Sequence, residues 1–244
     1  MGRKEIVCGL LTALVVLTAG PSHPARAADP IASRGGPLPQ CRTADIQTRH
    51  GRERSWRRTL VDTARTIGPG YRPHALSPVA EAGISGSGLV RPVVIDDLRA
   101  MARAARRSGA AIAVQSAFRS YQYQATVFQG YVDQYGYQAA RRMSARPGHS
   151  EHQLGTTMDF RSANSTRLPW NYADWAATAA GAWMKHHAWQ YGFAMSYPRG
   201  KSAISCYVYE PWHYRYFGRS VAARIHRSGL VPRAYLWRTY ETAG

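Results

Sequence analysis

The chain has 244 residues and carries 32 basic against 14 acidic side chains, a formal net charge of +18 at pH 7. A charge of that size implies an anionic environment (nucleic acid, an acidic membrane surface, or an anionic polymer such as a bacterial cell wall), although arginine-favouring base composition gives the same excess with no partner. The basic residues are spread along the chain, not gathered in an arm or interleaved with stacking aromatics, which argues against nucleic acid. Three cysteines are too few for a closed, cysteine-rich structural zinc site.

Residues 1–27 read as a secretory signal peptide: Arg3 and Lys4 ahead of an apolar run from Ile6 to Ala19, then the small-x-small site Ala25-Arg26-Ala27. The run is too short and poorly flanked for a membrane span, and no later segment is apolar over enough length. Removal of this leader takes away Cys8 and leaves Cys41 and Cys206, which in an oxidising compartment pair as one disulfide, or else remain two free thiols. Residues 28–55, rich in Pro, Gly, Arg and Ser, form an extended lead-in, and 56–244 form one domain of ordinary size.

Within that domain, Trp56 to Ile67 is ambiguous between helix and strand. Arg91 to Arg107 is predicted helical, with Val93, Val94, Leu98, Met101, Ala102 and Ala105 on one face and Ser108-Gly109 as the stop. Ala110 to Ser116 reads as a buried strand, 121–142 as a helix, Thr156 to Phe160 as a short strand, and 161–170 as a polar loop. Tyr172 to Tyr191 is predicted as an amphipathic helix carrying Trp175, Ala179, Trp183 and His187 on one side. Phe193 to Tyr197 is then a strand, 198–201 a turn, Cys206 to Tyr216 a long strand, and Val221 to Trp237 helical around a break at Gly229 and Pro232. Helices flank short strands without a repeating βαβ pattern, so the class is α+β.

Two segments carry the chemistry: Ser150-Glu151-His152-Gln153-Leu154-Gly155-Thr156-Thr157-Met158-Asp159 and Glu210-Pro211-Trp212-His213. His152, Asp159 and His213 supply two imidazoles and a carboxylate, three ligands that leave a fourth position on a catalytic zinc open. Imidazole with carboxylate suits zinc, which lowers the pKa of bound water to about 7. Glu210 then serves as the base that takes a proton from that water, and Arg119 as a stabiliser of the oxyanion. Glu210 and His213 are three residues apart and face opposite sides of a regular strand, and Pro211 forbids a central ladder there. The strand must bend or bulge at that point for the four residues to converge. The remaining histidines His50, His74, His149, His186, His187 and His226 read as packing or surface residues.

At these residues the chain resembles the bacterial zinc D,D-carboxypeptidases of the VanY type, in the wider group of D-alanyl-D-alanine peptidases and phage L-alanyl-D-glutamate endolysins. The match runs through Ser116-Ala117-Phe118-Arg119-Ser120 with Gln124, then Ser150 to Gly155 ending at Asp159. It continues with Tyr191-Gly192-Phe193 and Tyr197 to Lys201, and closes with Tyr209 to Tyr216; weaker similarity extends from about Leu60 to Trp237. The resemblance implies a small central antiparallel sheet flanked by helices, the hedgehog and D,D-peptidase-like zinc peptidase fold. It implies one Zn2+ held by His152, Asp159 and His213, with Glu210 as catalytic base and Arg119 as a substrate and transition-state contact. Gln124 and Ser150 are implied substrate contacts, and Trp212 a wall of the site. Cys206 stands where the family often has glycine, and a Cys41–Cys206 disulfide there braces the catalytic strand.

The expected activity is removal of the terminal D-alanine from peptidoglycan stem peptides by an exported enzyme in the cell wall, with anionic wall polymers as a further partner. The alternatives are an endopeptidase or L,D-carboxypeptidase on the same fold, or a wall-binding module without catalysis.

Overall fold

The computed structural model describes Gly2 and residues 36–241. The expected signal peptide, Cys8 included, and the first part of the lead-in lie outside the described residues.

A five-stranded sheet organises the molecule: β1 (Ser85–Gly86), β2 (Ile112–Ser116), β3 (Thr157–Ser162), β4 (Phe193–Met195) and β5 (His213–Tyr216), in the spatial order β1-β2-β3-β5-β4. β2, β3, β5 and β4 are antiparallel neighbours, as expected, and β1 adds a parallel edge beside β2. That edge needs glycine, because a Cβ on Gly86 would come within 1.9 Å of the Val114 carbonyl oxygen.

Side chains alternate across the pleat, and the two faces of the sheet differ accordingly. Val114, Met158, Phe160, Tyr214 and Tyr216 point into the main core, which helices α1 (Ile95–Arg107) and α4 (Ala179–His187) close with Leu98, Met101, Ala105, Ala180 and Met184. Thr157, Asp159, His213 and Arg215 therefore share the opposite face. A second cluster joins Leu60 and Phe217 to α6 (Arg219–Ser228) and α7 (Pro232–Leu236) through Val221, Ile225, Tyr235 and Leu236.

Several expected elements differ. Val93 is 45% exposed because Pro92–Val94 forms a 3-10 turn ahead of α1, outside the helical register. The predicted helix over 121–142 is two, α2 (Tyr121–Tyr135) and α3 (Tyr137–Met143), parted at Gly136, whose φ of 75° no L-residue adopts cheaply. The predicted helix over 172–191 begins only at Ala179, where the Thr178 hydroxyl caps the Gly181 N–H; Trp175 sits before it, fully buried in a 3-10 turn. The ambiguous stretch 56–67 is mostly irregular, with Arg65–Thr66 paired in parallel to Ile46–Gln47.

The long strand expected from Cys206 is the largest correction. Ser202–Ser205 is a single helical turn (α5), Cys206 caps it with φ 72°, and pairing starts at His213. Pro211 has no N–H to offer a ladder, and the chain turns there instead, with the His213 N–H donating to the Glu210 carbonyl at 3.1 Å.

Candidate metal centre

Sheet register makes the centre. Asp159 on β3 lies directly opposite His213 on β5, so their side chains emerge together on the non-core face. His152 arrives from a 3-10 turn, Glu151–Leu154, where its own N–H donates to the capping Ser150 hydroxyl at 3.4 Å. Gly155 ends that turn at φ 72°, and a Cβ there would lie 2.8 Å from the Pro73 ring.

The imidazoles meet edge-on with centroids 5.0 Å apart. His152 Nδ1 is 2.6 Å from the Ala117 carbonyl oxygen, which only accepts, so the proton sits on Nδ1 and the lone pair of Nε2 faces Asp159 at 3.3 Å. His213 is bound the other way round. Its Nε2 donates to Glu151 at 3.0 Å, and its Nδ1 lies 3.2 Å from Asp159 Oδ1 and 3.5 Å from Glu210 Oε2. One donor atom each from His152, Asp159 and His213 falls within 4.8 Å of the others.

Two of those donors are orphans. His152 Nε2 and Asp159 Oδ1 are buried and lack any partner with hydrogen-bond geometry, an arrangement that a metal ion resolves. Protonation suits it at His152 and Asp159, whereas His213 must give up a proton to bind the ion. Burial, with Arg119 second, pushes His152 down to about 4, leaving it neutral. Burial opposes charge on Asp159, yet the flanking imidazoles hold its carboxyl well below the usual range. Burial would depress His213, but Asp159 and Glu151 carry it up to about 10. Burial raises Glu210 to about 7.

Asp159 and His213 line a cleft of about 450 Å³, together with Glu210, Arg119, Ser150 and Trp212, while His152 lies fully buried behind them. Arg119 lines the cleft, and its Nε is buried without a hydrogen-bond partner. Trp212 stands edge-on to Trp170, 6.1 Å between centroids. Gln124 stands apart: it is fully buried, and its amide donates to the Ala145 carbonyl at 2.7 Å and the Ser144 hydroxyl at 3.3 Å, supporting the segment that walls the cleft from behind. Cys41 and Cys206 are joined by a disulfide. It anchors the turn that leads to Glu210 and not, as expected, a strand. His149 is a packing residue, held between the Asp62 carbonyl and Asp45 at 2.7 and 2.9 Å.

Sequence reasoning passed over Glu151, Tyr197 and Arg215. Tyr197 covers the His213 ring with centroids 4.5 Å apart, and Arg215 and Glu151 form a buried pair at 3.0 Å. The available signal was an acidic residue directly before the metal-type histidine in an acid-poor chain.

The model of the D-alanyl-D-alanine carboxypeptidase family VanY matches residues 88–219. The chain belongs to that family. Among VanY-like relatives, the Bacillus subtilis protein YodJ is 38% identical over 146 residues, 60% of this chain and 53% of its own length. The D-alanyl-D-alanine carboxypeptidase of Enterococcus faecalis is 32% identical over 142 residues, 54% of this chain and 50% of its own. The chain thus spans about half the length of the curated relatives it matches. Solved structures agree on the fold. The LD-carboxypeptidase LdcB aligns with a TM-score of 0.66 at 33% identity, covering 73% of this chain and 85% of its own. A VanY D,D-pentapeptidase from a VanB-type resistance cassette, solved with Zn(II), aligns at 0.63 and 27%, covering 74% and 99%. The VanY match contains every residue of the centre, whereas Cys41, Trp56 and Thr59 lie ahead of it.

Proposed function

We propose that the chain is an exported zinc D,D-carboxypeptidase that removes the terminal D-alanine from peptidoglycan stem peptides. The observation that carries this reading is the convergence of the donors of His152, Asp159 and His213 beside Glu210, at a cleft that Asp159, His213 and Glu210 line, in a chain of the VanY family. Two neutral-capable imidazoles and a carboxylate fit zinc, and their orphaned atoms fit an ion between them. Zinc bound there supplies a Lewis acid that makes water nucleophilic near neutral pH.

The side chains do the rest. Glu210, raised to about 7 by burial, accepts the proton of the attacking water and passes it to the departing amine of D-alanine. Arg119, on the wall of the cleft, presents its guanidinium to the oxygen that gains charge. Ser150 and Trp212 bound the space where the stem peptide lies. The signal peptide at 1–27 accounts for export. Among the described residues no helix is long and apolar enough to cross a membrane. The basic surface retains the enzyme near anionic wall polymers.

The likeness to LdcB supports one second reading, L,D-carboxypeptidase action on a tetrapeptide stem. Mass spectrometry of penta- and tetrapeptide muropeptides, incubated with and without a zinc chelator, separates the two. Chelator-sensitive loss of one alanine from the pentapeptide is expected. Glu210→Ala should keep its zinc and lose roughly 10²- to 10⁴-fold in rate. An untouched pentapeptide with zinc bound would refute the D,D reading, and normal turnover by the variant would refute the assigned base.

A further inference from the structure

Behind His213 runs a chain of buried contacts that never reaches the cleft. Glu151 Oε2 accepts from His213 Nε2 at 3.0 Å and from the Ser196 hydroxyl at 2.6 Å. Its other oxygen accepts from Arg215 Nη1 at 3.0 Å. Arg215, completely buried, anchors the far end, with Nη2 donating to the carbonyls of Trp56 and Thr59 at 2.7 and 2.8 Å. Glu151 and Ser196 are also buried, and none of the three lines the cleft.

Stability alone does not account for this arrangement. Desolvating a carboxylate and a guanidinium costs several kcal/mol per ion, and apolar residues of similar volume usually serve a core as well or better. What the pair does achieve is orientation. Both carboxylate oxygens are pinned, so Glu151 presents one fixed acceptor to His213. An ionised carboxylate only accepts, and the proton must then stay on Nε2. A metal that displaces the second proton of His213 therefore meets the Nδ1 lone pair, on the side of Asp159 and Glu210, 3.2 and 3.5 Å away.

We propose that Glu151 is a positioning residue for the metal: held by Arg215 and Ser196, it fixes the tautomer and orientation of His213 so that zinc meets Nδ1. The inference rests on the zinc reading above. A carboxylate behind a metal-bound imidazole raises its basicity, and losing such a partner typically costs 10–100-fold in metal affinity. Here the carboxylate is tied through Arg215 to backbone at Trp56 and Thr59, residues ahead of the segment that matches the family. The first residues of the domain thereby help to orient a residue of the centre.

The test compares zinc dissociation constants of the parent and Glu151→Gln by competition with a chromophoric chelator, after urea melts show that both are folded. The variant should bind roughly 10–100-fold more weakly. Binding within twofold of the parent would overturn the inference. Nitrogen NMR of the histidine rings in the zinc-loaded parent gives an answer that needs no variant: zinc on Nδ1 and a proton on Nε2 of His213 support it, and zinc on Nε2 overturns it. Should Glu151→Gln fail to fold, this spectrum decides, together with Ser196→Ala, which keeps the ion pair and should weaken zinc a few-fold. A parent that binds no zinc at all overturns the metal reading and this inference together, an outcome distinct from zinc bound through the wrong nitrogen.

Discussion

The two imidazoles of the centre are held by opposite means. His152 comes from a tight local turn, and its outer nitrogen meets a backbone carbonyl, that of Ala117. His213 is held by charge and by distant chain: Glu151 and Arg215 behind it, Asp159 and Glu210 before it, and a cross-link to Cys41 seven residues upstream at Cys206. A backbone acceptor cannot be mutated away or titrated. A carboxylate can be both, so perturbations of the centre should enter from the His213 side.

The largest test is Arg215→Met, which leaves Glu151 ionised and buried without its guanidinium partner. Loss of one partner from a buried pair costs about 3–5 kcal/mol, read from urea unfolding of the metal-free protein. The matching change on the other side, Ser150→Ala, removes only a cap, worth about 1 kcal/mol. Equal effects from the two would end the distinction. Next in size is Cys41→Ser with Cys206→Ser, which opens a link spanning 165 residues. The expected loss is about 2–4 kcal/mol in the same experiment.

Proton release on zinc binding sharpens the contrast. In the metal-free chain His152 titrates near 4 and is neutral above it, so it gives up nothing. His213 keeps a proton up to about 10, and the stabilisation its carboxylate partners provide is complete below its ordinary value of 6.5 and is lost as pH rises through 10. Glu210 is ionised above about 7. Between roughly pH 7 and 9 zinc must therefore displace one proton, from His213 alone, and its affinity should rise about tenfold per pH unit. Calorimetry in buffers of different ionisation enthalpy counts that proton directly. A flat profile would mean that the two imidazoles enter binding alike.

How much of this was legible in the sequence follows the same division. His152, Asp159, Glu210 and His213 stand out because their types and order match a known set, and helix α1 because its apolar spacing is regular. The position of Glu210 beside His213 was not legible, since it depends on a turn around Pro211 ahead of a strand that begins only at His213. The segment before it reads falsely as a strand because Tyr207 and Tyr209 alternate with other residues at period two. In the structure Tyr207 packs on Tyr197, and Tyr209 donates to Asp174. Glu151 stands out only as an acidic residue before His152, and its role was not legible because its partner Arg215 lies 64 residues away and meets it only once β5 is in register. What residue type and order dictate can be read from the chain, and what the Pro211 turn and strand register dictate cannot.

The smallest effect concerns Cys206 itself. It is the one non-glycine among the described residues with positive φ, at 72°. A side chain in the left-handed region costs roughly 1–2 kcal/mol, which the disulfide outweighs here. In a chain that already lacks Cys41, glycine at 206 should therefore outperform serine. Glycine also gives the unfolded chain more freedom, which returns about 0.4–1 kcal/mol of the gain. The Cys41→Ser, Cys206→Gly protein is thus expected to be more stable than Cys41→Ser, Cys206→Ser by about 0.5–1 kcal/mol in urea, with the same slope. A serine variant as stable as the glycine one would show that the turn carries no backbone penalty. The disulfide would then act on the approach to Glu210 and His213 purely as a tether, and the cost assigned to the His213 side would lie wholly in its charges.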